Sequence, residues 1–320
     1  AQARYARQGR WAFHPVGFMR RVLEQLRPEV VIATNSPRTE QAALEAASAL
    51  GIPSVCMVDL FSPPGDPFLE RLHYADSLTT ISELGKKNLV AGGVPADRIH
   101  VTGSPAFDSL FDPRHAQDAA RDRETLGWQG LKVILWPGHP ELMPPGMPQV
   151  ADPPAFARHA EQVLRDYVAQ HSGTALVVRY HPNHAVHFSS GAEQERVLWS
   201  EPSQRHPHRD IHLSDAVVFQ ATTMGLEAAI AGKSVLSLDH SPSRLVFPAS
   251  EQGVSRGVGC FEALPAALDE ALARPFRSPL AQNGANAARE VAHVIEAQLA
   301  RGLQGKMVSS PLSSPPGPTE

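Results

Sequence analysis

Between Asp215 and Asp239 the chain reads DAVVFQATTMGLEAAIAGKSVLSLD. The β-branched apolar run Ala216 to Phe219 predicts a strand, and Gln220-Ala221-Thr222-Thr223 a loop. From about Met224 to Ala231 apolar residues fall at helical spacing, with Gly225 in the first turn. Ser234 to Leu238 is a second strand. Strand, loop, helix and strand in this order form a βαβ unit, and such units build parallel sheets. Ligands of open parallel sheets bind beyond the carboxyl ends of the strands, so the loop is the part to read for function. Its small and hydroxylated residues leave backbone N–H groups open at a helix N-terminus, where a diphosphate fits. Glu227 lies one turn inside, placed to accept hydrogen bonds from ribose hydroxyls. A plainer reading stays open: Thr222 and Thr223 as N-caps, and Glu227 as a favourable charge at the positive end of the dipole. The spacing of four between Thr223 and Glu227 excludes a capping box from that threonine.

The same alternation runs outward in both directions. Upstream it predicts a helix over Val16 to Gln25, a strand at Val30 to Ala33 and a helix over Glu40 to Leu50. Strands at Ile52 to Val58 and Ser77 to Ile81 follow, then a helix over Glu83 to Ala91 capped by Ser82, and a strand at Ile99 to Val101. A second set begins after Gly103-Ser104-Pro105. It has strands at Lys132 to Trp136 and Ala175 to Tyr180, a long helix from Pro154 to Gln170, and the segment quoted above. Leu264 to Ala273 and Ala285 to Arg301 read as terminal helices. The expected organisation is an N-terminal Rossmann-like domain over 1–104, a nucleotide-binding Rossmann-like domain over 105–302, and a disordered Ser/Pro-rich tail over 303–320. Four strands are few for an open doubly wound sheet. With Ala1 in place of Met, this leads us to expect an incomplete N-terminal domain.

Composition narrows the function classes. A chain of 320 residues with 42% hydrophobic and 19% charged residues has ample core for two domains. A net charge of -4 argues against a general nucleic-acid binder. Cys56 and Cys260 stand far apart and form neither a disulfide framework nor a zinc-type pair, which fits a reducing compartment. With no membrane-length apolar run and no secretory h-region, the expected location is cytoplasmic, with at most peripheral membrane association. Gly-x-Gly-x-x-Gly, P-loop, Gly-x-Ser-x-Gly and Asp-x-Asp motifs are all absent, which weakens oxidoreductase, NTPase and hydrolase readings.

Four more loops carry candidate chemistry. In VVRYHPNH, Val177 to His184, Arg179 and His181 stand two apart at a strand end and share a face if the strand reaches that far. Histidine is the side chain best suited to carry protons or donate to a phosphate near neutral pH. The His181, His184 and His187 spacing also invites a metal reading, but Pro182 breaks the helix it needs and no carboxylate or Cys motif accompanies it. His206, His208 and His212 lie in a Pro-broken polar stretch and read as a surface loop. VTGSPAFDSL, Val101 to Leu110, and VILWPGHPE, Val133 to Glu141, each put glycine past a strand end. There Gly103, Ser104, Gly138 and His139 either approach phosphate or simply make a tight turn. Asp59 follows a strand and reads as a general base or a solubilising loop residue.

Taken in order, these loops resemble the GT-B superfamily, in its branch of non-hydrolysing UDP-N-acetylglucosamine 2-epimerases and related polysaccharide glycosyltransferases. VTGSPAFDSL resembles the interdomain TGNP-D element, RYHPN the HPN element, and FQATTMGLEAAIAGKSVL the nucleotide-binding helix. The resemblance implies two Rossmann-like domains facing a cleft that holds a nucleotide-sugar. It implies Gly103 and Ser104 beside the diphosphate and Gly138 and His139 near the nucleotide. His181 would face the phosphates or sugar, Gln220, Thr222, Thr223 and Gly225 the diphosphate, and Glu227 the ribose. The His-x-Glu-Ala-Gly loop of the epimerases is replaced by Met57-Val58-Asp59-Leu60, and their Ser-Gly-Gly by Thr222-Thr223-Met224-Gly225. These departures favour a metal-independent, cofactor-free glycosyltransferase of bacterial surface-polysaccharide or glycolipid assembly, acting on a saccharide or lipid-linked acceptor. Asp59 would be its base, with His181 and backbone amides stabilising the leaving diphosphate. The alternatives are a UDP-sugar 2-epimerase using Asp59 and His181 as acid and base, and a non-catalytic sugar-nucleotide binder.

Overall fold

The computed structural model describes residues 6, 13–35, 39–58, 75–143, 147–188, 194–282 and 286–309. They form two compact α/β units, one of residues 1–105 with 286–320, the other of 106–285. Each has its own parallel sheet, of four and six strands.

In the first unit the strands are β1 (Val31–Thr34), β2 (Ser54–Met57), β3 (Ser77–Thr80) and β4 (Ile99–Val101), ordered β1-β2-β3-β4. Helix α1 (Val16–Leu26) packs on α2 (Thr39–Leu50) through a cluster around Leu23, Val31, Ala43 and Ala47. Helix α3 (Glu83–Ala91) starts at Ser82, whose hydroxyl accepts from the Gly85 amide at 3.1 Å. Asp76 fixes the entry to β2 by accepting from the amide and hydroxyl of Ser54 at 2.8 and 3.1 Å. The second unit contributes α4 (Pro113–Thr125), β5 (Lys132–Gly138), α5 (Ala155–Gln170), β6 (Thr174–Tyr180), β7 (Val197–Trp199) and α6 (Pro207–Leu213). It continues with β8 (Ala216–Phe219), α7 (Thr223–Ile230), β9 (Ser234–Leu238), β10 (Arg256–Val258) and α8 (Leu264–Ala273).

Helix α9 (Ala287–Ser309) departs from the expected organisation. The sequence attaches it to the second domain, yet it packs on β2 and β3 of the first, where the Gln298 amide donates to Ser77 Oγ. It also continues past Gly302 to Ser309, into the stretch expected to be a disordered tail, whose remaining residues lie outside those described.

The second sheet runs β10-β9-β8-β5-β6-β7. Read in chain order this is 6-5-4-1-2-3, the doubly wound Rossmann order, reversing direction between β5 and β8. Those two strands pair directly, Ile134 with Ala216 and Leu135 with Val217. The near-continuous apolar runs follow from the topology, since parallel strands are covered on both faces. Ile134, Trp136, Leu176, Val178, Val218 and Leu236 join Ala160, Leu164 and Val168 of α5 in one buried core. Burying each such side chain contributes about 1.5–3 kcal/mol. Among the described residues no helix is long and apolar enough to cross a membrane.

Candidate functional site

The carboxyl ends of β5 and β8 bound the crevice where a doubly wound sheet takes ligands. Strand β5 ends at Gly138, and the packing there requires glycine: a Cβ would lie 2.6 Å from the Tyr180 ring and 2.7 Å from Trp136 Nε1. His139 follows, buried, with Nε2 2.5 Å from the Ala221 carbonyl and Nδ1 2.5 Å from that of Pro140. It therefore ties the β5 loop to the β8 loop across the switch point and is engaged by the backbone. Glu141, quoted in the sequence motif but given no role there, braces the same loop from behind. Its buried carboxylate accepts from the hydroxyls of Ser241 and Ser243 at 2.9 and 2.6 Å, and from the Ser243 amide at 3.2 Å.

On the β8 side, Gln220 is 2% exposed, and neither its amide oxygen nor its amide nitrogen has a hydrogen-bond partner among the described residues. Leaving such groups unmade costs about 1–3 kcal/mol each, so a buried bare amide calls for a partner. Thr222 is the N-cap of α7, with extended backbone, and its hydroxyl accepts from the Met224 amide at a long 3.4 Å. Thr223 is exposed and opens the helix. Gly225 is required by close approach, because a Cβ would stand 2.5–2.6 Å from three atoms of the Phe219 ring. Glu227, one turn on, is buried, and its Oε2 lies 2.8 Å from His208 Nε2.

At the end of β6, the structure separates Arg179 from His181. Strand β6 stops at Tyr180, so His181 leaves the pleat and is exposed. The Arg179 guanidinium, expected beside a phosphate, turns instead into the unit. There it donates to Ser200 Oγ at 3.0 Å, the Arg205 carbonyl at 3.0 Å and Asp210 at 3.1 Å. Asp210 also takes Arg205 at 2.9 Å, and Arg205 reaches Asp122 at 2.8 Å. Arg179 is thus structural: the network joins β6, α6 and α4. His181 Nδ1 accepts from the Asn183 amide at 3.2 Å, which leaves Nε2 as the donor of the neutral ring. Partial desolvation of the ring by its neighbours holds its pKa below the usual 6.5, assisted by His184, His139 and Arg179.

The remaining sequence candidates divide. Gly103 and Ser104 follow β4 in the first unit, Gly103 at φ 78° with its amide on the Thr80 carbonyl at 3.2 Å. Asp59 lies outside the described residues, as does the side chain of His187. His206, His208 and His212 are not a loop: Pro207 takes the first turn of α6, which buries His208. Proline suits that position, because its missing N–H is an orphan there in any case. Cys56 and Cys260 are not joined in a disulfide.

These features define a Rossmann-ordered α/β protein with an anion-compatible helix terminus at its switch point. No family model matches the chain, and no curated protein matches it. Solved structures do. A Listeria monocytogenes protein assigned as a UDP-N-acetylglucosamine 2-epimerase superposes with a TM-score of 0.65 at 20% identity, over 89% of this chain and 78% of that one. Staphylococcus aureus MnaA in complex with UDP gives 0.60 at 17% identity, over 89% and 80%. The Neisseria meningitidis UDP-GlcNAc 2-epimerase bound to UDP-GlcNAc gives 0.58 at 17%, again over 89% and 80%. At these identities the likeness establishes the fold, the two-sheet GT-B-like class expected from the sequence. It also overturns the expected glycosyltransferase: the Listeria and Neisseria neighbours carry the name of 2-epimerases. That expectation rested on two short loop departures, whereas the structural match spans most of the chain.

Proposed function

We propose that the chain is a UDP-sugar 2-epimerase whose second unit grips the diphosphate at the β5–β8 switch point. The observation carrying this reading is the buried, unpartnered amide of Gln220 next to a helix terminus with a long cap bond. A pyrophosphate accepting from the first-turn amides of α7 replaces the long Thr222 contact and gains the positive end of the dipole. The nucleotides named in the neighbouring structures, UDP and UDP-GlcNAc, supply the matching ligand chemistry. Glu227 is assigned to the ribose while it holds His208. Neutral His181 donates through Nε2 to a phosphate or sugar oxygen.

A thermal-shift panel of UDP, GDP, CDP and their sugars tests binding. Inversion at a carbon bearing hydrogen requires that a proton leave one face and another return on the opposite face. Turnover of UDP-GlcNAc in D2O should therefore yield product deuterated at C2, without any acceptor and without net UDP release. A shift with UDP compounds but no deuterium at C2 favours a non-catalytic binder. No shift with any uridine compound refutes both.

A further inference from the structure

Three histidines from different parts of the second unit converge beside Glu227. His115 comes from the first turn of α4, His206 caps α6, and His208 lies in the first turn of α6. One ring nitrogen from each lies within 4.8 Å of the other two. The rings of His115 and His206 stack at 4.4 Å, and His208 meets both edge-on, at 5.2 and 4.6 Å.

We propose that His115, His206 and His208 form a zinc-type divalent-metal site, with Glu227 as the group that orients His208. The partners of each ring fit this role. Glu227 Oε2 holds Nε2 of His208 at 2.8 Å, leaving Nδ1 for the ion, with Ser109 Oγ 3.4 Å away. A ligating histidine whose other nitrogen is held by a carboxylate is the usual outer-shell device of such centres. His206 Nδ1 accepts from the His208 amide at 3.3 Å, a long cap contact that is given up when the ring turns to present a lone pair to the ion. Three imidazoles with a water in the fourth position make a complete tetrahedral set. Zn–N bonds of about 2.0–2.1 Å put tetrahedral nitrogens about 3.4 Å apart, so the widest present spacing must close by about 1.4 Å. His206 is exposed and His115 half-buried, so their rings can rotate, while buried His208 is fixed by Glu227. No carboxylate competes as a first ligand, and the three-nitrogen donor set suits zinc, cobalt, nickel or copper rather than magnesium or calcium.

The test uses the untagged full chain, stripped with a chelator and titrated with cobalt(II), then with zinc against a chromophoric competitor, with no nucleotide present. The expected result is one ion per chain, with the visible absorption of low-coordinate cobalt, displaced by zinc. His206→Asn, at an exposed position, should abolish that absorption while leaving the melting curve of the metal-free protein unchanged. Glu227→Gln should weaken zinc by about 10- to 100-fold. Binding below half an ion per wild-type chain overturns the proposal. So does binding that survives unchanged in both His206→Asn and His115→Asn. Nucleotide is absent throughout, so failure here leaves the UDP-sugar reading to its own test.

Discussion

Gly225→Ala isolates the geometry on which the diphosphate site depends. The added Cβ would stand 2.5, 2.6 and 2.6 Å from Cδ2, Cε2 and Cγ of Phe219. Carbon atoms pack at about 3.5–4.0 Å, so ring and helix must separate by about 1 Å. The ring has little room to retreat, because Phe219 is fully buried and meets Phe247 at 6.1 Å. Such overpacking costs about 1–3 kcal/mol. Against it stands a gain of up to about 1 kcal/mol from alanine's helix propensity. With that gain in full, the net loss is up to about 2 kcal/mol, a drop of up to about 8 °C in Tm for a chain unfolding in units of this size. The helix that moves is α7, so the amides assigned to the diphosphate move with it. A 1 Å misplacement costs about 100-fold where geometry decides the interaction. UDP at about 100 times the wild-type Kd stabilises by about 2.7 kcal/mol. After a 100-fold loss the same concentration gives about 0.4 kcal/mol. Melting curves with and without UDP report both effects, and adding Phe219→Leu to the variant should restore part of each. If Gly225→Ala melts and responds to UDP as wild type does, the contact does not position the helix and the reasoning fails.

Two further outcomes test the second unit and the histidines. Asp210→Asn removes the charge of the carboxylate that pairs with Arg179 and of one of the two that pair with Arg205, and should cost about 3–5 kcal/mol in urea unfolding; a loss under about 1 kcal/mol would show that the network is dispensable. His100 and His181 both have pKa values held below 6.5, chiefly by desolvation, so the folded chain takes up their protons later than the unfolded chain does. Their contribution is complete above pH 6.5 and is lost as pH falls through that value toward the folded pKa. Urea midpoints of metal-free protein should therefore decline on acidification, and a His100→Gln, His181→Asn chain should decline less; equal slopes would refute the assignment.

What the sequence makes legible follows from the range of the interactions involved. The runs at Ser77, Ala175, Ala216 and Ser234 are visible because a parallel strand is buried on both faces and carries that fact in consecutive residues. Strands β7 and β10 escape the reading: each is three residues long and lies at an edge of the sheet. Helix α6 escapes for a different reason: Pro207 reads as a break when its neighbours are taken as loop, and as a start once the turn after it is known. The site divides along the same line. Thr222 and Gly225 are legible because a cap and a close approach are local matters, settled within a few residues. The role of Arg179 is not, since its partner Asp210 lies 31 residues away and nothing in VVRYHPNH announces it. Glu227 shows both conditions in one side chain. Its place in the first helical turn is written in the sequence, while its partner His208, 19 residues upstream, appears only when β8 brings α6 and α7 together. The carboxylate that the sequence assigns to a ribose is thus the one that fixes a histidine of the three-imidazole cluster. Any account of nucleotide binding that substitutes Glu227 must therefore measure the state of His208 alongside it.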